Sequence, residues 1–185
     1  MHPNSLIRLF AGVLLVAACS DVNELPDASD SNAVDTVTIG ALTGTPLRLP
    51  SGYSISESRP IRTDQSSAFD FAYEIGAGAP SFYPAAALGL GTSGTQAGFL
   101  PVNETFAELR TAPQNGYITE DALPATVGAV YAVRSRLVCA GIGGVPMYGK
   151  LEVLEVDAVE STVTFQILTN NNCGYRSLEP GVPND

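Results

Sequence analysis

The sequence predicts an all-β fold, an antiparallel β-sandwich or open barrel with at most one or two short helices, preceded by an N-terminal signal helix and a disordered tether. Three observations predict it. Apolar residues of the interior segments recur at every second position rather than at helical spacing. Between those segments the chain is punctuated by many of its 18 glycines and 13 prolines. About 150 residues remain once the N-terminal region is set aside, enough for one domain around one core.

The first element, residues 1–18, is a processing segment. Arg8 is its only Lys or Arg, and the "LFAGVLLVAA" that follows is uncharged and ends in two alanines. A charged start, a short apolar centre and a small-residue exit make a secretory signal, and the run is shorter than the roughly 20 apolar residues that cross a bilayer. Its ending, "VAAC", resembles the lipobox of bacterial lipoproteins: an apolar residue, two small ones and a cysteine. The resemblance implies cleavage between Ala18 and Cys19, with Val16, Ala17 and Ala18 as the recognition residues. Cys19 would then begin the mature chain, with a diacylglyceryl group on its sulfur and a fatty acyl group such as palmitate on the new amine. Two or three acyl chains anchor stably, since each buried methylene contributes about 0.8 kcal/mol and one chain alone is marginal. Ser20 stands where the family's inner-membrane retention signal places Asp, which implies the outer membrane, on its periplasmic or surface face.

Residues 19–35 follow as a lipidated, flexible tether. "SDVNELPDASDSNAVD" is rich in Asp, Ser and Asn and poor in large apolar residues, so it buries too little to offset its ordering entropy. The formal net charge of the whole chain is −10, and loss of Arg8 takes the mature chain one unit lower. A chain this acidic lacks the clustered Lys and Arg that engage phosphates, which excludes nucleic acid as a partner. Anionic headgroups would repel it too, which leaves membrane attachment to the lipid on Cys19.

Residues 36–185 form the single β-rich domain. "DTVTIGAL" and "YSISES" are weak strands near its start. "FDFAYEI" sets Phe69, Phe71, Tyr73 and Ile75 on one face and Asp70, Ala72 and Glu74 on the other. The stretch 76–101, low in charge and rich in Gly, Ala and Pro, holds two short strands joined by loops. "NETFAELRTAP" is the one short helix candidate, opened by Asn103 as cap and closed before Pro113. "GAVYAVRSR" contributes Tyr131 and Val133 to a core face. "YGKLEVLEVD" contributes Leu151 and Val153 before its phase slips at Leu154, as at a bulge. "STVTFQIL" places Val163, Phe165 and Ile167 on one face, and the end of the chain reads as turns around Tyr175 and Leu178.

The thiols left after Cys19 are Cys139 and Cys173, each just beyond a strand end. An exported chain matures in an oxidising space, so an even pair reads as a disulfide, contributing about 3–4 kcal/mol by restricting the unfolded chain. No third ligand of suitable type stands near enough in sequence to make the pair a metal site.

Histidine-based chemistry is excluded by composition. His2 is the only histidine and leaves with the signal, which removes Ser-His-Asp triads, Cys-His dyads and histidine-ligated zinc. Lys150, the only lysine, leaves a Ser-Lys pair open and reads more simply as an exposed strand residue. Paired carboxylates could still hydrolyse a glycan, and Tyr53, Tyr83, Tyr117 and Tyr175 could stack on sugars in a chain without Trp. Asp70 with Glu74, and Glu152 with Glu155 and Asp157, read more simply as solvent faces of strands. "GLGTSG", Gly89 to Gly94, lacks phosphate-loop spacing and a following Lys. "DASDSNAVD" lacks the fixed Gly and closing Glu of a helix-loop calcium site.

The succession "GAVYAVRSR", "YGKLEVLEV", "TVTFQI" is similar to the C-terminal strands of the HmuY-like haem-binding lipoproteins, through Arg134-Ser135, Tyr148 to Leu151 and Thr164-Phe165. The resemblance implies a shared lipid-anchored β architecture. That family's haem ligands are histidines, which this chain does not supply.

The resulting expectation is a monomeric, cofactor-free, metal-free envelope lipoprotein that acts as a non-catalytic binding or structural module. Its partner would be an envelope protein or glycan met at a surface lined by Phe82, Tyr83 and Leu88. The alternative is a hydrolase that uses Asp and Glu alone.

Overall fold

The computed structural model describes residues 27–76, 78–90, 96–139 and 144–183. The signal segment, Ala18, Cys19 and residues 20–26 of the tether lie outside this set. Ten strands follow one another among the described residues: β1 (Ala33–Gly40), β2 (Gly52–Ser54), β3 (Arg59–Ile61), β4 (Phe71–Gly76), β5 (Ala79–Pro84), β6 (Gly98–Val102), β7 (Leu123–Pro124), β8 (Val130–Arg134), β9 (Tyr148–Asp157) and β10 (Thr162–Asn170). They make two five-stranded antiparallel sheets, sheet I in the order β1-β10-β9-β8-β6 and sheet II in the order β3-β2-β4-β5-β7. The predicted sandwich is thus the observed architecture, and it does not close into a barrel.

The period-two pattern is what joins the sheets. Sheet I turns Ile39, Phe99, Tyr131, Val133, Leu151, Val153, Val163, Phe165 and Ile167 toward Tyr53, Phe71, Tyr73, Phe82 and Leu123 of sheet II. At the centre, Phe71 meets Phe99 at 5.0 Å between ring centroids and Phe82 at 5.6 Å, both edge to face. Such pairs contribute about 0.5–1.5 kcal/mol each beyond the area they bury.

The phase slip in β9 is a bulge. Phe165 of β10 faces Val153 and Thr164 faces Glu155, so Leu154 has no partner in the ladder and turns to solvent. The extra residue lets Val153 and Val156 both approach the same core.

A second apolar layer covers the far side of sheet I. Val130, Ala132, Tyr148 and Leu168 point away from sheet II and are buried by Leu109, Ala112, Tyr117 and Leu178. These covering residues come from the excursion between β6 and β7 and from the segment after β10.

Three expectations are corrected here. The predicted helix in "NETFAELRTAP" is a single turn, capped by Thr105 rather than Asn103: Thr105 Oγ1 donates to Glu108 Oε2 at 2.8 Å and the Glu108 N–H reaches back to Thr105 Oγ1 at 3.3 Å. It stops because its next backbone groups are engaged elsewhere. Leu178 N–H donates to Arg110 O at 2.7 Å and Ala112 N–H to Arg176 O at 2.8 Å. Residues 33–35, assigned to the tether, are instead paired in β1 opposite 169–167. Upstream of them, Ser29 and Asp30 donate their N–H groups to Asn172 Oδ1 at 2.8 and 2.9 Å, so this polar stretch is held by its backbone rather than by apolar burial. Finally, Lys150 and Asp70 are not on solvent faces: both are buried, at 4% and 1% exposure.

Candidate functional site

Cys139 and Cys173 are joined by a disulfide with Cα atoms 5.8 Å apart, as the even pair left after Cys19 predicted. It ties the segment after β8 to the segment after β10. The proposed lipid and cleavage positions, Cys19 and Ala18, lie outside the described residues.

Phe82, Tyr83 and Leu88 do not form one surface. Alternation along β5 turns Phe82 into the core, fully buried opposite Tyr73 and Leu123. Tyr83 points to the other face of sheet II beside Ala72, and Leu88, in a turn of 3-10 helix spanning Ala85–Leu88, packs half-buried against Ile61, Phe69 and Ala72. The charge-poor, aromatic sequence here builds a strand whose Phe82 belongs to the core. Among the proposed sugar-stacking residues, Tyr53 and Tyr117 are likewise buried, while Tyr83 and Tyr175 are half-buried.

Asp70, Glu74 and Asp157, among the carboxylates singled out in the sequence, have structural partners. Asp70 Oδ2 accepts the Ile55 N–H at 2.7 Å and its Oδ1 accepts the Arg136 N–H at 3.0 Å. Burial pushes its carboxyl above the ordinary aspartate range, against the opposing pull of Arg136 and these N–H donors. Glu74 accepts from the Thr43 N–H and hydroxyl, and Asp157 accepts the Val159 and Glu160 N–H groups in the β9–β10 turn. Lys150 donates to Leu109 O at 3.0 Å with its ammonium 4.6 Å from the centre of the Phe106 ring, and burial lowers its pKa.

Among the described residues the surface carries grooves in at least two places. One, of about 530 Å³, is lined by Arg110, Thr111, Ser177, Glu179, Pro180, Val182 and Pro183, with Arg110 and Glu179 3.5 Å apart across it. A second, of about 360 Å³, runs along β3 and contains Arg59 and Arg62. Those guanidinium groups are already engaged, by Glu57 and by Asp64 respectively.

The feature with the most unspent binding capacity is the outer edge of β1. Ala41 N–H donates to Ser161 O, which fixes the odd-numbered residues of β1 as those bonded to β10. The even-numbered residues therefore turn their N–H and C=O groups outward. Asn32 exchanges both of its own with Gly181, and the Gly40 N–H is taken by Pro50 O. Between these two caps the outward groups of Val34, Thr36 and Thr38 have no hydrogen-bond partner among the described residues. Sequence reading found β1 but not this edge, because which strand ends up last in a sheet depends on pairing order.

The segments "GAVYAVRSR", "YGKLEVLEV" and "TVTFQI" fall on the neighbouring strands β8, β9 and β10 of sheet I. Set against known protein families, curated proteins and solved structures, the chain has no match.

Proposed function

We propose that this chain is a lipid-anchored protein of the bacterial cell envelope, attached to the membrane through Cys19, whose β-sandwich serves as a non-catalytic binding or structural module. The observation that carries the reading is "VAAC" at the end of a short uncharged apolar run. Two features of the domain agree with it. The Cys139–Cys173 disulfide suits an oxidising, extracytoplasmic space. The first strand begins at Ala33, leaving a short acidic spacer between the anchor and the sandwich. The carboxylates quoted above serve turns, strands and the junction between the sheets, which favours a binding or structural role over carboxylate-based hydrolysis.

The test is metabolic labelling with radioactive palmitate in a bacterial host, followed by detergent phase partitioning. The wild-type chain should carry label and enter the detergent phase; Cys19→Ala should do neither. Label retained in Cys19→Ala, or absent from the wild type, would refute the anchor.

A further inference from the structure

We propose that the open edge of β1 is a docking site for a short, basic, extended segment of a partner protein, which joins sheet I as an additional antiparallel strand. This names a partner class for the binding role proposed above and rests on that reading.

The sandwich has four sheet edges, and three are obstructed. β3 is three residues long with Pro60 at its centre, and β7 is two residues long and ends in Pro124. At β6, Phe99 exchanges hydrogen bonds with Ile118 and Pro101 lacks a donor. Short strands, prolines and covering loops are the usual ways of stopping an edge from recruiting another chain. Among the described residues β1 has none of these between its caps. It is eight residues long, its central residues lack Pro, Gly, Lys and Arg, and Val34, Thr36 and Thr38 present a row of alternating donors and acceptors.

The geometry of the caps selects the occupant. The Gly181 and Pro50 segments stand in the plane of sheet I at the two ends of the row, so the opening takes only the residues opposite 34–38. A second copy pairing about Thr36 would set its Gly40 opposite Asn32, the place Gly181 already fills, and its own caps would collide in the same way. A slender peptide that leaves the plane at both ends fits. Charge selects its sign: Asp35 is the only charged residue of β1, on a chain whose net charge is −10. A basic side chain facing Asp35 across the new pair gains attraction that an acidic one would lose.

The test uses the full chain, lipidated and held in detergent micelles, with two end-blocked probe peptides, one alternating valine with lysine and one alternating valine with glutamate. In amide NMR the lysine peptide should protect the Val34, Thr36 and Thr38 N–H groups from exchange. The Asp35 and Val37 N–H groups, already bonded to β10, should stay as they were. The lysine peptide should bind about tenfold tighter than the glutamate peptide, and Asp35→Lys should invert that order. Thr36→Pro removes an outward N–H and none of the β1–β10 ladder, so it should abolish binding with the fold retained. A lysine peptide with N-methylated backbone should fail to bind the unaltered chain, which keeps the test decisive if Thr36→Pro does not fold. Protection at other residues, equal binding of both peptides, or no binding would overturn the proposal. So would dimerisation of the free chain that Thr36→Pro abolishes, which would make the occupant a second copy. Loss of palmitate labelling removes the anchor and leaves these outcomes intact, so the two readings fail separately.

Discussion

The buried carboxylate of Asp70 and the partly exposed guanidinium of Arg136 face each other at 3.6 Å across the junction of the two sheets. Asp70 immediately precedes β4 of sheet II, and Arg136 follows β8 of sheet I. Because Asp70 also accepts the N–H groups of Ile55 and Arg136, one side chain organises the β2–β3 turn and the exit of β8 together. Asp70→Ala, which leaves those donors without their acceptor, should cost about 2–3 kcal/mol in denaturant unfolding; Asp70→Asn, keeping one acceptor oxygen, should cost less.

The same residue predicts an unusual pH response. Burial raises the folded-state pKa of Asp70 above its unfolded value, so the folded chain holds that proton more tightly. Its charged form therefore penalises folding above the folded pKa, and the penalty fades as pH falls toward the ordinary aspartate range. The stability of the wild type relative to Asp70→Asn should accordingly rise on mild acidification, measured by unfolding at a series of pH values. A difference that falls instead would show that the hydrogen bonds to the carboxylate outweigh its burial.

Lys150 is the only lysine, which makes its environment directly readable. Enclosed by Leu109 O and the Phe106 ring, its amine should resist acetylation in the native protein and react promptly in denaturant, followed by mass spectrometry. Lys150→Met, which leaves Leu109 O without its donor, should destabilise by about 2 kcal/mol and speed amide exchange across residues 105–112.

Reducing the Cys139–Cys173 bond, or replacing both cysteines with serine, should lower stability by about 3–4 kcal/mol on the chain-entropy account. Denaturant unfolding with and without reductant measures this, and the double variant should lose its sensitivity to reductant.

The bulge in β9 makes neighbouring valine and leucine unequal. Leu154→Thr, at an exposed and unpaired position, should change stability by no more than about 0.5 kcal/mol, whereas Val153→Ala, in the central core, should cost about 2 kcal/mol.

Much of the strand content was legible because the pattern that reveals a half-buried strand is also what packs it. Val163, Phe165 and Ile167 illustrate this, and even the slip at Leu154 was visible as a break in period. What escaped were features set by contacts distant in sequence. Asp70 and Lys150 alternate like solvent-facing residues, but Arg136 and the 103–112 excursion cover them from afar. The helix signal at Thr105 and Glu108 was real and local, yet pairing with residues 176–178 cut it to one turn. Phe82 was misplaced for a related reason: composition shows that a segment is aromatic, and only the register of β5 shows which face the ring takes. The proposed lipidation of Cys19 rests on contiguous residues alone, and the fold adds nothing to its reading.

The mutual hydrogen bonds of Asn32 and Gly181 bring the entry and exit of the sandwich side by side. The β9–β10 turn, where Val159 is 89% exposed, lies at the opposite end of sheet I. Reporter placement follows from this polarity. A fluorophore or epitope appended beyond Pro183 would crowd the point where the chain enters the first strand, whereas one inserted at the Val159 turn would project away from it and leave the edge of β1 unobstructed.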